Sequence, residues 1–125
     1  MTPFGRHLRR LRADRGMTLK EMASAVGVSS AYLSALEHGK RGRPSWTLVQ
    51  RIIACLNVIW DDAEELTRLA RLSHPRVTID TTGLSPRATE LANRLAVSIS
   101  HLRESQLEEL LAVVSGDGSR RTVKE

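Results

Sequence analysis

Residues 21–37, Glu21-Met-Ala-Ser-Ala-Val-Gly-Val-Ser-Ser-Ala-Tyr-Leu-Ser-Ala-Leu-Glu37, build a helical pattern, break it at one glycine and begin it again. Met22, Ala23 and Val26 share a helical face before the break, and Leu33 and Leu36 share one after it, so both pieces have an apolar side to bury. Gly27 supplies the backbone freedom for a tight reversal that a β-carbon would oppose. Ser29 has the residue type of a helix cap, and a helix is expected from there through about His38. Exposed helices usually carry Lys and Glu; this one begins with Ser30, Ala31 and Tyr32 and continues with Ser34 and Ala35.

Outward from this stretch the pattern stays helical. Upstream, Phe4, Leu8 and Leu11 form an apolar stripe in a helix expected from Thr2 to Arg15, ended by Gly16. Thr18 with Glu21 three residues later has capping-box spacing for the next helix. Downstream comes the basic loop Gly39-Lys-Arg-Gly-Arg-Pro44, and Ser45 then caps a fourth helix carrying Trp46, Val49, Ile52, Ile53 and Leu56, with Asn57 as its end. Asp61 with Glu64 repeats the capping-box spacing. It predicts a fifth helix to Leu72 that uses Ala63, Leu66, Leu69 and Ala70.

Residues 73–84 differ in texture. Pro75 and Gly83 bracket β-branched residues, which predicts an extended linker with the composition of a short strand. Ser85-Pro86 is a helix start. Leu91, Leu95, Ile99 and Leu102 are expected on one face, with Ala88, Ala92 and Ala96 allowing close approach of a partner. Ser105 with Glu108 predicts a separate last helix carrying Leu107, Leu110, Leu111 and Val114 to a stop at Gly116, with a disordered polar tail over 117–125.

Composition narrows the class. A chain of 125 residues, 41% hydrophobic and 26% charged, suits one compact domain or a small domain with an appended oligomerisation element. Aromatic residues are few and long β-branched runs are missing, so the core is expected to be aliphatic and helical. Residues 1–60 hold ten Lys/Arg against three acids, and 61–125 hold nine against eleven. The basic first half points to an anionic partner. Cys55 excludes an internal disulfide and is expected in the core, and the absence of a signal sequence or long apolar run predicts a cytoplasmic protein with no membrane partner. His7, His38, His74 and His101 lack metal-ligand spacing, Asp61, Asp62, Glu64 and Glu65 read as complements of a helix dipole, and no phosphate-cradling or nucleophile motif occurs. Neither enzyme, metal nor cofactor is expected. Trp46 and Trp60 are read as core anchors.

Two short helices about a glycine turn, with small residues at the outer start of the second, are the pattern of a helix-turn-helix. Those residues suit base edges in a major groove about 12 Å wide, where Ser bonds either base type and Ala meets a thymine methyl. A plain helical hairpin has the same periodicity, and spacing alone leaves that alternative open. The sequence also resembles the phage-repressor/Cro class, or XRE family, of helix-turn-helix regulators. Met17-Thr-Leu-Lys-Glu-Met-Ala23, Gly27-Val-Ser29, Leu33-Ser34, Glu37-His-Gly-Lys-Arg41 and Pro44-Ser45 match that family's pattern in order, over residues 4–72.

The resemblance implies that Ser29 caps the recognition helix and touches the DNA backbone, and that Ser30, Ala31 and Tyr32, with Ser34 and Ala35 a turn later, reach base edges. It implies backbone contacts from Lys40 and Arg41, with Arg43 as added charge in a longer loop, and from His38 where Asn is frequent. Leu19 departs from a common Gln, so that phosphate contact is expected to be lost or to come from Lys20 or helix-end N–H groups. Arg12 and Glu37 match positions of a semi-buried structural ion pair.

The expected architecture is all-α: a five-helix, repressor-like DNA-binding domain over 1–72, a linker over 73–84, and a two-helix dimerisation element over 85–116 using Leu91, Leu95, Ile99, Leu102, Leu107, Leu110 and Leu111. The expected function is that of a sequence-specific repressor, homodimeric on double-stranded DNA. Two alternatives stand beside it: an antitoxin with a toxin partner, and a helical adaptor that binds another protein and no DNA.

Overall fold

Thr2 closes the first helix by satisfying its orphan donors. In the computed structural model, which describes residues 1–115, α1 spans Pro3–Arg15 and the Thr2 hydroxyl accepts from Gly5 N–H at 3.0 Å. Pro3 has no N–H to satisfy, and Phe4 N–H donates to the Ser73 hydroxyl at 2.9 Å, so the first turn is fully accounted for. The helices α2 (Leu19–Val26) and α3 (Ser30–Glu37) start at Thr18 and Ser29. Both Thr18–Glu21 bonds of the capping box form, at 2.9 and 3.0 Å. Gly27 has φ 90°, a left-handed conformation that ends α2 and re-aims the chain. Ser45 caps α4 (Trp46–Cys55), and α5 spans Trp60–Arg71.

These five helices bury one aliphatic core. Phe4, Leu8, Met22, Leu33, Ile52 and Leu66 are completely enclosed, one or more from every helix, and each such side chain contributes about 1.5–3 kcal/mol by leaving water. The helix α2 packs on α3 and α4, α1 on α3 and α5, and α4 on α5. At the α1–α3 crossing Gly5 is buried, and a β-carbon there would sit 2.8 Å from Glu37 Cα. This compact unit extends through Thr78. Ser73 is buried, and its hydroxyl donates to Leu69 O at 2.6 Å while receiving Phe4 N–H.

The second unit begins at Ile79 and contains α6 (Pro86–Ser98), a 3₁₀ turn (Ile99–His101) and α7 (Glu104–Val114). Ser85 caps α6, and none of the described residues of the unit is buried. All regular structure among the described residues is helical. No described helix is long and apolar enough to cross a membrane.

Several expectations are corrected. No strand forms among the described residues of 73–84; Ser73 is drawn into the first core, and Asp80 instead forms a turn by accepting Thr82 N–H at 2.9 Å. Asp61 is not a cap, because α5 already starts at Trp60, after Ile59. Asn57, at φ 52°, turns the chain sharply enough to re-enter helix early, leaving Asp61 and Asp62 inside the first turn, where they complement the dipole. Ser105 is likewise inside α7; the start is set by Gln106, whose carbonyl accepts Arg103 N–H at 2.9 Å.

Cys55 is exposed, flanking the stripe of Leu48, Val49, Ile52 and Leu56 that faces the core. Trp46 and Trp60 are 72% and 87% exposed: each is the first residue of its helix and projects past the core layer. Leu102 has left the helical path, at φ −76° and ψ 141°, so the face of Leu91, Leu95 and Ile99 does not continue to it. The expected stop at Gly116 and tail over 117–125 lie outside the described residues.

Candidate nucleic-acid interface

Each end of α3 is fixed by bonds that leave its outer face open. At the start, the Ser29 hydroxyl accepts Tyr32 N–H at 3.0 Å, retaining its own proton for a donor role. Ser30 and Ala31 are exposed, while Tyr32, Ser34 and Ala35 are half-buried. The outward stripe is therefore made of Ala31 and Ala35, one turn apart, between Ser30 and Ser34 on one flank and Tyr32 on the other. At the far end Gly39 takes φ 79°. Gly39 N–H then reaches Leu36 O at 3.2 Å and Lys40 N–H reaches Ala35 O at 2.9 Å, the paired bonds of a Schellman stop. That stop sets the direction of the loop bearing Lys40, Arg41 and Arg43, all exposed.

The loop folds back on the helix it leaves. The Arg41 guanidinium lies 5.3 Å from the centroid of the Tyr32 ring, a cation–π contact. One cation thus braces the aromatic flank of the stripe. His38 is placed differently: its Nδ1 lies 2.9 Å from Ser34 O. A carbonyl only accepts, so Nδ1 carries the proton, and in a neutral ring Nε2 is then an acceptor. His38 thus bonds its own helix through Nδ1, and Nε2 is the ring nitrogen left free of that bond.

Underneath, α3 is locked to α1. Arg12 donates through Nη1 to Oε2 of Glu37, whose side chain is 1% exposed. The Glu37 carbonyl also accepts Thr2 N–H at 3.0 Å and the Thr2 hydroxyl at 3.3 Å. At the turn, Arg51 Nη1 lies 3.4 Å from Val26 O, placing a cation at the C-terminus of α2. Arg15 similarly donates to Leu56 O at 2.7 Å. Sequence reasoning missed Arg51, Arg15, Gly5 and Ser73. Only Gly5 had a local signal, since a glycine within a helical pattern marks close backbone approach.

Lys20 is exposed in the first turn of α2, beside the N–H groups of Leu19 and itself that the capping box leaves out. Lys20, Ser29, the outer residues of α3 and the 40–43 loop all belong to the first unit. A family model described as a helix-turn-helix domain matches residues 3–69 of this chain, more than half of it. The chain belongs to the helix-turn-helix family.

Named relatives agree with that membership. The sequence is 40% identical over 62 residues to the uncharacterized HTH-type transcriptional regulator RghRB of Bacillus subtilis strain 168, covering 50% of this chain and 45% of the relative. It is 36% identical over 61 residues to the HTH-type transcriptional repressor RghR of the same organism, covering 49% and 45%. To the HTH-type transcriptional regulator SinR of that organism it is 32% identical over 55 residues, covering 44% and 50%. This helix-turn-helix chain thus matches about half the length of each relative. All three are named as transcriptional regulators or repressors. A solved chain titled SinR protein/SinI protein complex aligns over 95% of this chain and 98% of its own, at TM-score 0.44 and 23% identity. That likeness is too loose to carry an interface or a partner across.

Proposed function

We propose that this helix-turn-helix protein is a sequence-specific DNA-binding regulator that represses by occupying promoter DNA. The observation that carries the reading is the open Ser30–Ala35 stripe of α3, rimmed by Lys40, Arg41 and Arg43 and braced by Arg41 over Tyr32. Ala31 and Ala35 present methyl groups to thymine, Ser30 and Ser34 bond either base type, and Tyr32 reads from the flank. Ser29, Lys20 and the loop cations dock phosphates and set the register. Because the readers are small, operator shape contributes to discrimination. Selection of bound fragments from random DNA tests the reading. The expected result is an enriched site whose duplex shifts the amide resonances of Ser30, Ala31 and Tyr32 while remote amides stay still; bound DNA that leaves those three unmoved would refute it.

The acting species in this proposal is a homodimer formed through residues 85–116, reading half-sites about 34 Å apart. Support comes from the second unit itself, where Leu91, Ile99, Leu110 and Leu111 are exposed and Leu95, Leu102 and Leu107 are only half-covered. The same exposure favours a second reading, in which this face binds a different protein. Sedimentation of the pure protein separates the two: a dimer supports the first, and a monomer that gains mass only with an added partner supports the second.

A further inference from the structure

The chain does not leave the first unit when α5 ends. Ser73, bonded to Phe4 N–H and Leu69 O, turns it back along the loop that follows α3. Pro75 comes to rest against that loop: a β-carbon on Gly39 would stand 3.6 Å from Pro75 Cβ. His74 Nδ1 then accepts Arg76 N–H at 3.3 Å, tightening the bend. Between the two strands of chain lies an open hollow of about 610 Å³, lined by Gly39, Lys40, Gly42, His74, Pro75 and Arg76. Its lining residues are exposed or half-buried, so it is an open basin and not a buried ligand cavity. Its charged residues are both cations, Lys40 and Arg76, and both are exposed.

We infer that this basin is a DNA-phosphate site, with Arg76 as a backbone contact that lies outside the helix-turn-helix match. Lys40 joins the basin to the reading surface, because the next residue, Arg41, stands over Tyr32 in the first turn of α3. A duplex strand that follows the loop cations therefore runs on to Arg76. The guanidinium offers the planar fork that phosphate oxygens accept. Neither Lys40 nor Arg76 takes part in an ion pair among the described residues, so both charges remain available. The buried Ser73 fixes the position of the segment at no cost to the charge it carries.

This inference rests on the DNA-binding reading, and one salt titration separates their fates. Full-length wild type and Arg76→Ala are titrated, from about 50 to 200 mM salt, with the selected operator and with an unrelated duplex. Arg76→Ala is expected to weaken both duplexes by the same factor and to flatten the log–log slope by about 0.9, the share of one phosphate. Its deficit should accordingly shrink about 3.5-fold across that salt range. Arg76→Lys should recover most of the slope and part of the affinity. Thermal melting should be unchanged in both variants, since Arg76 is exposed. Wild-type slope and affinity in Arg76→Ala would overturn the basin while leaving DNA binding intact. A deficit confined to the operator would also overturn it, because a phosphate contact is blind to sequence. Wild-type protein that binds neither duplex would overturn both.

Discussion

The two units of this chain use the same local devices and reach opposite degrees of burial. In the first unit, fourteen hydrophobic side chains are buried; across the described residues of the second, none is. Yet α6 is a well-made helix, with Ser85 at its cap, Pro86 at its first position and a Glu90–Arg94 pair along its side at 2.7 Å. A cap contributes about 0.5–2 kcal/mol and an i,i+4 pair about 0.2–0.5 kcal/mol. They select helix over coil and do nothing to layer one helix on another. Five helices surround a volume that Phe4, Leu8, Met22, Ile52 and Leu66 fill, whereas two helices make one layer and need another from elsewhere. Stability in the first unit is thus a property of the chain; in the dimer proposed above, that of the second becomes a property of concentration.

The largest effect expected from this contrast is at the floor of the first unit. Glu37→Ala leaves the Arg12 guanidinium buried beside an alanine, and stranding one member of a buried pair costs about 3–5 kcal/mol. For a domain of this size that lowers Tm by at least ~12 °C. Thermal unfolding followed by circular dichroism at two protein concentrations measures it, and the loss should be equal at both. An unchanged Tm would show that Arg12 reaches water and that the pair does not hold α3 to α1.

Next comes the exposed face of the second unit. Leu95→Glu should leave the first unit's melting transition in place, because Leu95 belongs to no part of its core. It should convert the dimer to monomer in analytical ultracentrifugation. It should also weaken operator binding by ~10²-fold or more, the effective-concentration advantage of a second tethered reader. A dimer that persists would assign Leu95 to contacts within its own chain. That outcome would narrow the contrast between the units, since the second would then have an internal core.

What the sequence disclosed follows the same division. The starts of α2, α3, α4 and α6 were legible because Thr18, Ser29, Ser45 and Ser85 act within three residues of themselves, bonding Glu21, Tyr32, Leu48 and Ala88 N–H. The exposed first turn of α3 was legible too, since it follows from Ser29 and Gly27. The cap motif failed at Asp61, where the Asn57 turn starts the helix earlier, and at Ser105, where Gln106 does so by bonding Arg103 N–H; the matching acid three residues on is ordinary helix-surface charge. Residue type misled at Trp46, Trp60 and Cys55: apolar character says what a side chain prefers, while its angular place on the helix decides what it receives. The bonds that frame the reading surface were illegible for a simpler reason. Ser73 meets Phe4 across 69 residues and Arg15 meets Leu56 across 41, and no local pattern encodes such partners.

The smallest expected effect sharpens the contrast from the other side, by asking what an ion pair contributes when nothing covers it. Glu65 and Arg68 in α5 are joined by two bonds, at 3.1 and 2.8 Å, better geometry on paper than many pairs that matter. The Arg68 hydrogen bond, and then its charge, hold the Glu65 carboxyl below its ordinary pKa. A depressed carboxylate favours the folded state above its unfolded pKa and loses that contribution as pH falls through the folded value. Any gap between wild type and Glu65→Gln must therefore open at neutral pH and close in acid. Both side chains are substantially exposed, so solvent and salt screen the attraction and ordering two long side chains offsets the remainder. Melting curves of wild type and Glu65→Gln at about 0.15 M salt, a Debye length near 8 Å, should superimpose at pH 7 and again at pH 4. A clear gap at pH 7 that narrows toward pH 4 would mean that exposed pairs stabilise this protein, and the depth of the Arg12–Glu37 pair would no longer explain why it alone is expected to be costly to break.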